Sequence, residues 1–114
     1  MPKGEHLGEF ELFVMMAIAR LEAGSAYGVT IRREIERRTG RMVAIGAVYA
    51  TLGRLHDKGL VSFSISEPDP VRGGRSRKLV ALTRAGRGAL VQSATSFARM
   101  AEGLSLVPVP GARQ

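Results

Sequence analysis

Between Ala44 and Val61 the apolar residues Ile45, Val48, Leu52 and Leu55 recur at three- and four-residue intervals, which puts them on one face of a helix. The opposite face carries Gly46, Ala47, Tyr49, Ala50, Gly53 and Arg54, which amounts to short side chains, one aromatic hydroxyl and one charge. A helix face that meets only solvent is rich in Lys and Glu. Short side chains suit a helix whose backbone must approach another surface closely. Gly59 ends this helix, as glycine does at the left-handed C′ position. The period then switches to two: Val61, Phe63 and Ile65 alternate with Ser62, Ser64 and Ser66, the mark of a strand.

The flanking segments carry the helical period. Over residues 7–23, Phe10, Phe13, Val14, Ala17 and Leu21 form one stripe, while Leu12, Met15, Met16 and Ala19 form a second. A helix apolar nearly all round is buried nearly all round. It is either the central core helix of a monomer or a helix shared between its own core and a second subunit. Gly24-Ser25 interrupts it, and Ser25 is the expected N-cap of a helix over 27–39 that buries Tyr27, Ile31 and Ile35. The outer face of that helix is Arg32, Arg33, Glu34, Glu36, Arg37 and Arg38, with Arg32–Glu36 and Glu34–Arg38 spaced as i,i+4 pairs.

After the helix over 44–58, strands are expected at 60–66 and 77–82. Pro68, Pro70, Gly73 and Gly74 exclude regular structure between them. Thr83 caps a last helix over 83–104, weakened at its start by Gly86 and Gly88. Within it Leu90, Ala94, Phe97, Ala101 and Leu104 step by four, three, four and three. Such a seam pairs with another helix or folds onto its own core. Residues 1–6 are expected to be loose, and 105–114, with Pro108 and Pro110, a disordered tail.

This order of elements predicts a mainly α protein with a β-hairpin wing. Residues 1–82 form a winged helix-turn-helix whose recognition helix is 44–58, and a C-terminal dimerisation helix follows.

Charge sharpens the picture. The net charge is +7, and it is uneven: residues 1–24 hold two of the 17 bases and four of the 10 acids. The remaining body is strongly basic, which favours a polyanion as partner, nucleic acid before an anionic membrane surface. Arg72, Arg75, Arg77 and Lys78 place four cations within seven residues of the loop. So much like charge on one loop suits phosphate contact. On the helix, Gly46, Ala47 and Ala50 allow close approach to a groove floor. Arg54 is the candidate for guanine or phosphate, and Tyr49 either donates to the nucleic acid or is a core tyrosine. Arg41 lies close to where a bound backbone would pass.

Other chemistries find no support. There is no cysteine, and His6 and His56 have no clustered carboxylates, so no metal site or cofactor is expected. Glycine-rich phosphate loops, paired carboxylates and nucleophile–His–acid sets are also missing, which argues against an enzyme. The apolar run Leu12–Ala19 lacks a basic n-region and falls short of the ~20 residues that span a bilayer. A cytoplasmic protein with no membrane partner is expected.

Tyr27-Gly28, Gly46-Ala47-Val48-Tyr49, Leu52, Leu55, and Leu82-Thr83 with Gly86 together resemble the PadR family of transcriptional regulators, over residues 7–104. The resemblance implies a homodimeric, ligand-responsive repressor of double-stranded DNA. Its recognition helix would enter the major groove of a pseudo-palindromic operator, and its wing would touch the flanking backbone or minor groove. The first and last helices would build the dimer through Phe10, Phe13, Met16, Leu90, Phe97, Met100 and Leu104. A small-molecule effector would sit near Phe10, Met15, Met16 and Phe97, residues that serve equally as dry dimer core. The single last helix resembles the short branch of the family. Two positions depart from the family pattern: Ala50 stands where proline is usual, and Leu79-Val80 where a tyrosine is usual. No tryptophan is present, so the family's tryptophan-lined mode of binding flat aromatic ligands does not carry over. The alternative is a winged-helix RNA-binding or protein-interaction module, for which exposed stacking aromatics are sparse.

Overall fold

A computed structural model describes residues 7–21, 23–67 and 76–106. The elements are α1 (Glu9–Arg20), α2 (Gly28–Thr39), α3 (Ile45–Asp57), β1 (Val61–Ile65), β2 (Lys78–Leu82) and α4 (Arg84–Ala101). Four helices and one antiparallel hairpin make the mainly α winged fold expected from the periodicities.

The core forms where three helices meet the hairpin. Val14, Met15 and Ile18 of α1 pack with Ile31 and Ile35 of α2, and with Val48, Leu52 and Leu55 of α3. Leu60, Val61 and Val80 close it from the hairpin side. The ladder pairs Val61 with Leu82, Phe63 with Val80 and Ile65 with Lys78, so Val61, Phe63, Val80 and Leu82 share one face, while Leu79 and Ala81 lie on the other with Ser64 and Ser62. Ser66 extends the pairing past the strands: its N–H donates to the Arg77 carbonyl at 2.8 Å, and its Oγ accepts the Arg77 N–H at 2.7 Å.

Several expectations are corrected. α1 stops at Arg20, because Leu21 is already extended at ψ 144°. Its two stripes are mostly buried in one subunit. Leu12 and Met15 turn inward, and only Met16 and Ala19 of the second stripe face out. Met15 is completely buried, so it is a core side chain and not a wall of an effector site.

α2 is not capped by Ser25. Tyr27 is the N-cap residue, held extended because the Thr30 hydroxyl accepts the Tyr27 N–H at 3.0 Å and donates to the Ser25 carbonyl at 2.6 Å. Tyr27 is therefore half-buried at the helix entrance and not on the core stripe. Of the i,i+4 pairs, Glu34–Arg38 forms at 2.7 Å, whereas Glu36 turns to accept the Val43 N–H at 2.8 Å and steadies the turn into α3. Gly59 closes α3 at φ +77°, as the C′ position demands.

α4 is shorter than expected, ending at Ala101. Thr83 caps it by accepting the Gly86 N–H at 3.0 Å, while its hydroxyl donates to the Gly59 carbonyl at 2.7 Å. The expected loose end at 1–6, the loop 68–75, and all but residues 105–106 of the tail expected at 105–114 lie outside the described residues.

Candidate nucleic-acid interface

α3 divides cleanly into two faces. Val48, Thr51, Leu52 and Leu55 are buried, whereas Gly46, Ala47, Tyr49, Ala50 and Arg54 are exposed. A Cβ added at Gly46 or Gly53 would meet nothing within 4 Å, so this side of the helix is open along its length. The open face is uncharged until Arg54. That arginine is held back at the far end: its Nη2 donates to Thr51 Oγ1 at 2.9 Å, and its Nε lies 3.9 Å from Glu11 Oε2.

Glu11 organises the ground behind Arg54. It is buried on α1, accepts the Gly8 N–H at 2.9 Å and pairs with Lys58 Nζ at 3.0 Å. Burial alone would raise its carboxyl pKa. The Gly8 N–H, the Lys58 ammonium and the nearby Arg54 guanidinium outweigh burial and hold the pKa below the usual carboxylate value. The α1 carboxylate thereby anchors the C-terminal end of α3.

Arg41 stands at the other end, in the turn before α3, but its guanidinium is engaged. Nη1 and Nη2 reach Glu9 at 2.8 and 3.3 Å, and the group also lies 5.1 Å from the Phe13 ring centroid. The hydrogen bond from Arg41 lowers the Glu9 pKa, and the Glu9 carboxylate raises that of Arg41. Met42, next to it, projects almost wholly into solvent and drew no attention at the level of sequence.

The hairpin base carries the remaining cations. Arg72 and Arg75 lie outside the described residues; Arg77 and Lys78 are exposed at the start of β2. The Arg77 guanidinium sits 4.8 Å from the Tyr27 ring centroid, and Lys78 Nζ 4.1 Å from that of Phe63. The His56 imidazole also stacks on Phe63, at 4.7 Å and 10° between planes. Aromatic rings thus support the basic residues at the hairpin base. Pattern reading missed these supports because each joins residues far apart in the chain.

The residues expected at a dimer contact split by depth. Phe10, Phe13 and Leu90 are half-buried against the subunit's own core. Met16, Phe97, Met100 and Leu104 are exposed, Phe97 by 63% and Met100 by 80%. Of the residues expected around an effector, Phe10, Met16 and Phe97 lie at or near the surface and Met15 does not. Among the described residues no helix is long and apolar enough to cross a membrane, and no group of His, Cys, Asp or Glu could hold a metal ion.

A helix with a bare face of short side chains, a hairpin with a basic base and a last helix with exposed apolar side chains form one arrangement. The Transcriptional regulator PadR-like family matches residues 17–92. The chain belongs to that family. RosR of H. salinarum has the same fold, with 29% identity and a TM-score of 0.65, over 85% of this chain and 79% of that one. A PadR-like transcription factor of Bacteroides fragilis is 25% identical, with a TM-score of 0.66 over 82% and 84%. A PadR family regulator of Clostridium difficile, 22% identical, shares the fold with a TM-score of 0.67 over 82% and 91%. No curated protein matches the chain. This PadR-like chain is a transcriptional regulator with a winged DNA-binding fold, and not an enzyme.

Proposed function

We propose that this PadR-like regulator works in the cytoplasm as a homodimeric, ligand-responsive repressor of a pseudo-palindromic duplex operator. The observation that carries the reading is the outer face of α3, where Gly46, Ala47, Tyr49 and Ala50 are exposed beside the basic base of the hairpin. Short side chains let the helix backbone come close to the floor of the major groove, and Tyr49 supplies a donor there. Arg72, Arg75, Arg77 and Lys78 neutralise flanking phosphates, releasing counterions without reading sequence. Arg54 belongs at the groove's edge, and Arg41 joins the phosphates at the cost of its pair with Glu9.

The partner is a second copy, seated along α4. The face of α4 that begins on the subunit's own core at Gly86, Ala89 and Leu90 continues into the exposed Phe97 and Met100, with the exposed Leu104 just past the helix end. An effector would lodge where that seam meets α1, against Phe10, Met16 and Phe97. Two-fold symmetry then sets half-sites about one helical turn apart.

Titration of duplex from the neighbouring operon across a salt series tests the reading. Affinity is expected to fall steeply with salt. Replacing Arg75 and Arg77 together by Ala should weaken binding to all duplexes alike and flatten the salt slope, by roughly one unit for each phosphate no longer neutralised. Binding that ignored salt, or that preferred structured RNA in competition, would refute it.

A further inference from the structure

Residues 26–28, at the entrance to α2, join three parts of the proposed DNA-binding surface. The Ala26 carbonyl accepts the Val80 N–H at 2.8 Å and fastens β2 to the start of α2. The Tyr27 ring lies against the Arg77 guanidinium at the base of the hairpin, 4.8 Å from centroid to cation. Gly28 is buried under the ring of Tyr49 from α3. A Cβ added there would stand 2.6 Å from Tyr49 Cε1 and Cζ, and 2.7 Å from its hydroxyl oxygen.

Those distances lie far inside van der Waals contact, so only glycine leaves room for the ring in its present posture. The requirement is one of space, because Gly28 is not among the positive-φ glycines. Tyr49 nonetheless stays 54% exposed. It is seated on one flank and open on the rest, the condition of a side chain held ready for a partner. A tyrosine fixed in this way loses less conformational freedom on binding than one that swings freely. Arg77 gains the same from its ring, since a stacked guanidinium keeps its edge donors available.

We propose that Tyr27 and Gly28 form a seat that sets the posture of Tyr49 and Arg77, and with it the angle at which recognition helix and wing meet DNA. The proposal rests on the DNA-binding reading above. Gly28 is a positioning residue: it touches Tyr49 and acts on DNA through it.

Gly28→Ala is the test. Alanine is the better helix former, and the obstacle to its methyl group is the far end of a side chain that can move aside. The variant is therefore expected to fold with an unchanged or higher urea midpoint, with Tyr49 displaced. The probe is the fluorescein-labelled duplex that wild-type protein enriches from a pool of random duplexes. Gly28→Ala should bind it about ten-fold more weakly, the worth of one hydrogen bond to a charged acceptor. In a Tyr49→Ala background the same change should cost nothing further, since its effect passes through that ring. Tyr27→Leu should weaken binding as well, and have no further effect once Arg77 is Ala.

Each failure points to a different error. If the wild type enriches no duplex, the DNA-binding reading falls and the seat with it. If the wild type enriches one and Gly28→Ala binds it equally, only the seat is overturned. Additive losses in the Tyr49→Ala background would overturn it too. So would a lowered urea midpoint that accounts for the weaker binding, for Gly28 would then be a packing glycine alone.

Discussion

Gly86 and Gly88 lie two positions apart in α4 and have opposite consequences. A Cβ at Gly86 would run into the carbonyl of Leu60, which is backbone and cannot swing aside, whereas one at Gly88 would meet nothing within 4 Å. Gly86→Ala should therefore destabilise the fold by about 1–3 kcal/mol, the usual cost of overpacking. Gly88→Ala should stabilise it by up to ~1 kcal/mol through helix propensity. Urea titration of the two variants side by side checks both signs. Glu11 supplies a second prediction at this scale. Its carboxyl pKa is lower in the folded chain than in the unfolded one, so its contribution to stability is present above the unfolded value near 4.5. That contribution is lost as pH falls through the lower folded value. The wild type should lose stability as pH falls from about 4.5 through that lower value. Glu11→Gln should be less stable at neutral pH and lose less on acidification, as acid titration at fixed urea would record.

At the scale of the element, α3 has two tasks separated by its own period. Its inner residues Val48, Leu52 and Leu55 hold the fold, so large-to-small changes there cost stability before they touch function. Of its outer residues, Gly46, Ala47 and Ala50 are exposed and contribute little to stability, whereas Tyr49 rests on Gly28 and Arg54 reaches Thr51 and Glu11. Ala47→Glu should leave the unfolding free energy within about 0.5 kcal/mol of wild type, as open surface positions do. The same change places a carboxylate against phosphate and should cut DNA affinity by roughly a hundred-fold or more, since apposed like charges cost several kcal/mol. Circular dichroism on the variant beside a fluorescence-anisotropy titration separates the two effects. The pairs Arg37–Glu34 and Arg38–Glu34 on α2 are exposed on the arginine side and decide little, since water and salt screen surface ion pairs.

For the whole molecule, the open question is what covers α4. Its seam passes off the subunit's own core after Leu90, and Phe97 and Met100 then stand in solvent. Exposed side chains of this size at helical spacing invite a second apolar surface. Replacing Phe97 and Met100 together by Asp should convert the proposed dimer to a monomer in sedimentation experiments. The hairpin and α3 would stay folded, because neither residue belongs to the core. The monomer should also bind operator more weakly, as it engages one half-site at a time. If the doubly substituted protein sediments like wild type, α4 is not the dimer contact.

Local signals made most of this molecule legible before its tertiary structure. Ile45, Val48, Leu52 and Leu55 at helical spacing, Gly59 after them, and the Val61–Ile65 alternation specify the central helix and hairpin by periodicity and backbone sterics. Thr83 announced its cap, and the short side chains from Gly46 to Ala50 marked the bare face of α3. These features depend on residues within a few positions of each other, where helix and strand geometry leave little choice. Contacts between distant residues were decided by packing alone. Met15 entered the core because α1 meets α2, α3 and the hairpin along a broader face than one stripe. Ser25 gave up the cap to Tyr27 because Thr30 could bind both ends of that turn. Arg41 turned to Glu9, Arg54 to Glu11, and Tyr49 lay down on Gly28, each across a separation that no period encodes. A chain's periodicity settles which face of an element turns inward; which side chains then touch depends on how elements dock, and docking is a property of three dimensions.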